Sequence, residues 1–130
     1  MKKHLAIFSG NGAELILSGE KTVESRLSNM RLAPFGVVNA GDFVYIKPSG
    51  KEIIGDFRVK KVIFIDGLEK EDVKELKERY GQGIAMDDKW WKTKENAKYA
   101  TIIFIGSSNR YLTSPVKFPK KDLRGWVVLD

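Results

Sequence analysis

A chain of 130 residues with 42% apolar and 31% charged residues has the balance of one soluble globular domain with its own core, and this excludes a disordered chain. It has no cysteine, which excludes disulfides and thiolate metal sites, and its one histidine, His4, is too little for a zinc site or a His–His acid–base pair; no metal or cofactor is implied. The formal net charge of +6 favours a polyanionic partner, because Lys and Arg displace phosphate counterions, although a Lys-rich solvated surface is the plainer reading of the same number.

Met1-Lys2-Lys3-His4 leads straight into the apolar segment Leu5 to Phe8, a predicted strand. No apolar run is long enough for a signal-peptide core or a membrane span, so the expected location is the cytoplasm and no membrane partner is expected. Asn11 is placed to cap a helix over Gly12 to Ser18, and Gly19 to end it. Thr22 to Ser28 then alternates, with Val23 and Leu27 on one face and Thr22, Glu24 and Arg26 on the other. Pro34 to Ala40 reads as irregular. Phe43 to Lys47 is a predicted strand, Pro48-Ser49-Gly50-Lys51 a turn, and Ile53 to Ile65 a long strand whose alternation changes phase near Lys60-Lys61, where a bulge would bend it.

Val73, Leu76 and Tyr80 recur at helical spacing, which predicts a solvated covering helix from Glu69 to Tyr80 with Gly81 as its C-cap. A second helix is predicted over Asp87 to Ala97. Thr101 to Ile105 is apolar on both faces and reads as a central strand; Ser107-Ser108-Asn109 reads as a turn after it. Leu112 to Phe118 and Trp126 to Leu129 are the last predicted strands. About six or seven strands and two or three helices, without regular alternation, predict an α+β, mainly β architecture. The expectation is a single domain over 1–130, a small mixed or antiparallel barrel with two or three covering helices.

Gly19-Glu20-Lys21-Thr22-Val23-Glu24-Ser25-Arg26 resembles the G-x-K-x-x-E-x-R signature of the ASCH family. Gly41-Asp42-Phe43-Val44 followed by Lys47-x-Ser49-Gly50 resembles that family's hairpin, and Asp122 to Leu129 its closing strand, so the resemblance spans essentially the whole chain. It implies a PUA-like β-barrel and a role in RNA binding or RNA metabolism. Some relatives resemble nucleases. A smaller branch resembles amidohydrolases acting on acetylated cytidine nucleosides and reads K-T-x-T-x-R at this place. Glu24 stands here where that branch has its second Thr, and a carboxylate does not replace a hydroxyl nucleophile.

Lys21, Glu24 and Arg26 are therefore the candidate site. Arg offers a planar fork for phosphate, Lys a compact cation, and Glu an acceptor for a base edge or a ribose 2′-OH. The partner so implied is RNA, a nucleotide or a modified nucleoside. A metal-independent hydrolase is the alternative, with Glu24 as general base and Lys21 beside it in the catalytic set. A plain Glu24–Arg26 ion pair bracing the barrel rim is the structural reading of the same residues. Further candidate contacts are Phe35 as a stacking surface, Lys47 and Ser49 for phosphate, and Arg124 in a basic C-terminal stretch that includes Arg110, Lys117, Lys120 and Lys121. Each has a bland counterpart in core packing, turn chemistry or solvated charge. Trp90 and Trp91, adjacent on a helix, cannot share a face, so at most one is core and the other is partly exposed beside Lys89 and Lys92.

Overall fold

The computed structural model describes residues 1–114 and 124–129, and over these the two periodicities of the sequence become six strands and three helices. In chain order they are β1 (Lys3–Phe8), α1 (Gly12–Ser18), β2 (Val23–Ser28), β3 (Phe43–Pro48), β4 (Gly55–Asp66), α2 (Lys70–Ile84), α3 (Asp88–Thr93), β5 (Tyr99–Arg110) and β6 (Trp126–Val128). The strands form one mixed sheet of order β2-β5-β4-β3-β1-β6, in which β1 and β3 run parallel and every other pair antiparallel. The sheet curls into a half-barrel covered by the helices, the mainly β α+β architecture expected from the sequence.

Two apolar faces explain the curl. Inside it, Ala6, Phe8, Ile16, Val44, Ile46, Phe57, Ile103 and Trp126 form one core. Val23, Leu27, Val73, Leu76, Trp91 and Ile102 form a second between the sheet and the helices α2 and α3. Each fully buried Ile, Leu or Phe contributes roughly 1.5–3 kcal/mol. β5 feeds both cores, Ile103 into the first and Ile102 into the second, which is why its middle shows no alternation. The pairing of β4 with β5 shifts register between Phe57 and Lys61, which is the bulge that the phase change predicted, and a bulge bends the strand as a curled sheet requires.

Several boundaries differ from the sequence reading. α2 does not stop at Gly81; it continues through Gly83 to Ile84, and Ala85, at φ 58°, is its left-handed cap. The reason is tertiary: Ile84 is fully buried, so the last turn is held by packing in spite of its glycines. α3 is shorter than predicted, ending at Thr93, and the Asp87 carboxylate caps it by accepting from the Trp90 N–H at 2.8 Å. Ser107, Ser108 and Asn109 are not a turn but the exposed end of β5, where Phe57 pairs with Ser108 and Asp56 with Asn109. Asn11 precedes α1 as expected but makes no side-chain cap bond. Of the predicted strand from Leu112, residues 112–114 are not strand and the rest lies outside the described residues, as do Lys117, Lys120 and Lys121.

Trp126 closes the first core, and its indole donates to His4 Nδ1 at 3.1 Å. An indole N–H only donates, so Nδ1 is the acceptor and Nε2 carries the proton toward Asp42 Oδ2, 2.8 Å away. This buried relay ties β6, β1 and the entry to β3 together. Among the described residues no helix is long and apolar enough to cross a membrane.

Candidate functional site

The loop between α1 and β2 is anchored by its own backbone before any side chain acts. Gly19, at φ 85°, turns the chain out of the helix, Lys21 N–H donates to Leu15 O at 2.9 Å, and Thr22 N–H donates to Gly83 O at 2.9 Å. Lys21 is thereby directed inward, and its side chain is only 2% exposed. Its ammonium donates to the Ile84 carbonyl at 2.5 Å and lies 3.3 Å from Glu24 Oε1. Glu24 is equally buried, and its other oxygen accepts from Arg26 Nε at 2.8 Å. The same-face placement of Glu24 and Arg26 expected from the alternation is what the strand delivers.

Arg26 does more than pair. Nη1 donates to the Gly125 carbonyl at 3.0 Å and Nη2 to the Ile7 carbonyl at 3.2 Å. Its guanidinium lies over the Phe8 ring at 4.9 Å and the Trp126 ring at 5.4 Å. β2 is one end of the sheet and β6, next to β1, is the other. One side chain thus bridges the two ends of the curl, with five donors in a planar fork suited to several acceptors at once. The rim-bracing role of the Glu24–Arg26 pair is a real part of this geometry.

These residues line an open cleft of about 320 Å³ at the mouth of the half-barrel. Among the described residues its charged lining is three cations, Lys21, Arg26 and Lys94, against one carboxylate, Glu24. Phe35, Trp90 and Tyr99 supply aromatic surface. Phe35 meets Tyr99 and Phe64 edge-on at 5.3 and 5.4 Å, and Arg31 lies over its ring at 4.8 Å. Ser25 also lines the cleft, and its buried hydroxyl has no hydrogen-bond partner among the described residues. Lys94 is half-buried at the C-terminus of α3, its ammonium 5.5 Å from the Trp90 ring centroid. Burial lowers its pKa, the neighbouring Arg26 lowers it further, and Glu24 opposes both.

The structure brings Lys21, Glu24, Arg26 and Phe35 together and leaves Lys47, Ser49 and Arg124 out of the cleft. Lys47 is buried on β3, 1% exposed, with no partner for its ammonium among the described residues. Ser49 is an exposed turn residue whose N–H donates to Phe8 O at 2.8 Å. Arg124 is exposed and has interactions of its own. Of the two adjacent tryptophans, Trp91 is core and Trp90 is the partly exposed one. Sequence reasoning missed Lys94. The usable signal was spacing: Trp90 and Lys94 are four apart, the interval that places two side chains on one helix face, whereas Lys89 is adjacent to Trp90 and faces elsewhere. Among the described residues no cluster of three or more His, Asp or Glu could hold a metal ion.

No family model matches the chain, and no curated protein matches it. Solved structures do. The crystal structure of ASCH from Zymomonas mobilis superposes with a TM-score of 0.67 at 20% identity, over 84% of this chain and 70% of that one. A single-substitution variant of the same protein reaches 0.75 at 18% identity, over 99% of this chain and 89% of that one. A protein from Enterococcus faecalis V583 gives 0.56 at 14% identity, over 78% of this chain and 73% of that one. With six curled strands in this order, three covering helices and these structural neighbours, the chain has an ASCH-like fold.

Proposed function

We propose that the cleft binds RNA or a nucleotide, with a base against the aromatic surface of Trp90 and Phe35 and the anionic backbone on the cationic side of the cleft. The observation that carries this reading is the meeting of an excess of cations with partly exposed rings in one open cleft. Cations attract phosphate, rings accept the face of any base, and the two together suit single-stranded nucleic acid better than a purely apolar or a purely acidic ligand. The likeness to ASCH structures and the signature-like segment from Gly19 to Arg26 support the same direction.

The test is fluorescence anisotropy with a short labelled single-stranded RNA and, in competition, a panel of modified nucleosides, with products followed by mass spectrometry in EDTA. Binding should weaken as salt rises, and Trp90→Ala should weaken it by the ~1–3 kcal/mol that a base–aromatic stack contributes. Absence of binding to the RNA and to every nucleoside would sink the reading. Product formation in the same tubes would make the protein a hydrolase.

A further inference from the structure

Resting on that nucleotide reading, we propose that Lys94 is the residue through which the cleft selects ligands carrying a phosphate ester over neutral nucleosides. Three cations line the cleft, but two are already committed. The Lys21 ammonium is buried against the Ile84 carbonyl and the Glu24 carboxylate. The Arg26 guanidinium is shared among Glu24 and the Ile7 and Gly125 carbonyls. An arriving anion would have to break those bonds to be held by either one. Lys94 has no such commitment: among the described residues its ammonium makes no hydrogen bond and no ion pair, and its contact is the Trp90 ring.

The surroundings make an anion the missing partner. Lys94 is half-buried and close enough to Arg26 to feel its charge. Two like charges facing one cleft repel, and a phosphate between or beside them removes the repulsion and restores hydrogen bonds to an ammonium that has given up part of its water. The Trp90 ring beneath the same ammonium puts stacking surface next to the anion position, so a ring and a phosphate can be met together, as they occur in a nucleotide. A neutral nucleoside uses only the ring. A nucleoside monophosphate and a segment of single-stranded RNA share the phosphate ester and are distinguished by size.

The experiment measures dissociation constants for adenosine, adenosine 5′-monophosphate, cytidine, cytidine 5′-monophosphate and a short labelled single-stranded RNA, for the wild type, Lys94→Gln and Lys94→Arg. Thermal unfolding of each variant checks that the fold is retained, since Lys94 is half-buried at the C-cap of α3. The expected result is that Lys94→Gln weakens the monophosphates and the RNA by about tenfold at low salt, leaves the nucleosides unchanged, and makes the salt dependence of RNA binding shallower by roughly 0.7 in log–log slope. Lys94→Arg should restore most of the affinity. Equal affinity of Lys94→Gln and wild type for the phosphorylated ligands overturns the assignment while leaving the nucleotide reading intact. Equal weakening of nucleosides and monophosphates also overturns it, since Lys94 would then act on the ring through Trp90. If the wild type binds none of these ligands, both the assignment and the reading beneath it fall.

Discussion

Lys21, on the loop before β2, donates its ammonium proton to the main-chain oxygen of Ile84, 63 residues further along, at 2.5 Å. That carbonyl belongs to the last turn of α2, where no intrahelical donor remains to satisfy it. The side chain therefore caps a helix end and neutralises Glu24 at the same time.

From this double duty we expect Lys21→Met to destabilise the protein by roughly 2–4 kcal/mol, because it leaves a buried carbonyl and part of a buried carboxylate without a partner. Urea unfolding with an unchanged m-value checks it. Combining Lys21→Met with Glu24→Gln should recover part of the loss, since the stranded charge is then gone; strict additivity of the two would contradict the pairing.

Arg26→Lys keeps the charge and loses the fork. One ammonium cannot reach Glu24 and the carbonyls of Ile7 and Gly125 together. A loss of about 1–3 kcal/mol is expected, with the fastest gain in amide hydrogen exchange along β1 and β6. Unchanged exchange there would show that the two sheet ends are held by something else.

Two glycines of α2 should respond oppositely to alanine. At Gly81 an added Cβ meets only the Lys77 side chain at 3.5 Å, so Gly81→Ala should stabilise by about 0.5–1 kcal/mol through backbone entropy and helix propensity. At Gly83 the same Cβ would come within 2.8 Å of Thr22 Oγ1 and 2.9 Å of Val23 Cγ2, where α2 lies directly on β2. Gly83→Ala should destabilise despite its better propensity. Denaturation midpoints of the two variants, on either side of wild type, are the measurement.

These cases mark where local sequence patterns stop being informative. The two faces of β2, the bulge in β4 and the double-sided burial of β5 all follow from periodicity, which gives a mainly β curled sheet; its ASCH-like character was legible only from the resemblance carried by Gly19 to Arg26, the hairpin after Gly41 and the closing segment from Asp122 to Leu129. Gly81 looked like a helix end because glycine usually is one, but Ile84 is buried three residues later and tertiary packing carries the helix on. Ser107 to Asn109 looked like a turn by composition, but β4 offers them a ladder. Lys21 was visible as a candidate; its partner at Ile84 was not, because nothing local connects residues so far apart. Lys94 carries no motif at all, and only its spacing from Trp90 announces it.

The Asp42 carboxyl gives a pH prediction with a definite sign. Burial pushes its pKa up, but the hydrogen bond from His4 and the N–H groups of Lys2 and Asn39 outweigh this and hold it below its ordinary 3.8. A depressed pKa contributes stability that is fully present above the unfolded-state value and is lost as pH falls through the folded one. Stability should therefore drop steeply below about pH 4, and Asp42→Asn should be less stable at about pH 6 yet show a flatter acid slope, as read from urea unfolding at about pH 6 and about pH 3. An identical slope in the variant would mean that other carboxylates set the acid limit.

The Arg26 bridge between the ends of the curled sheet separates what can be altered in this molecule from what cannot. The seam is sewn by a side chain of the same strand that forms the cleft wall, so a substitution at Arg26 or Glu24 loosens the scaffold along with the cleft. Phe35 and Trp90, on a loop and a short helix, and Lys94 at that helix's end carry no seam. Changes to the shape and charge of the cleft, by selection or by design, have their room there.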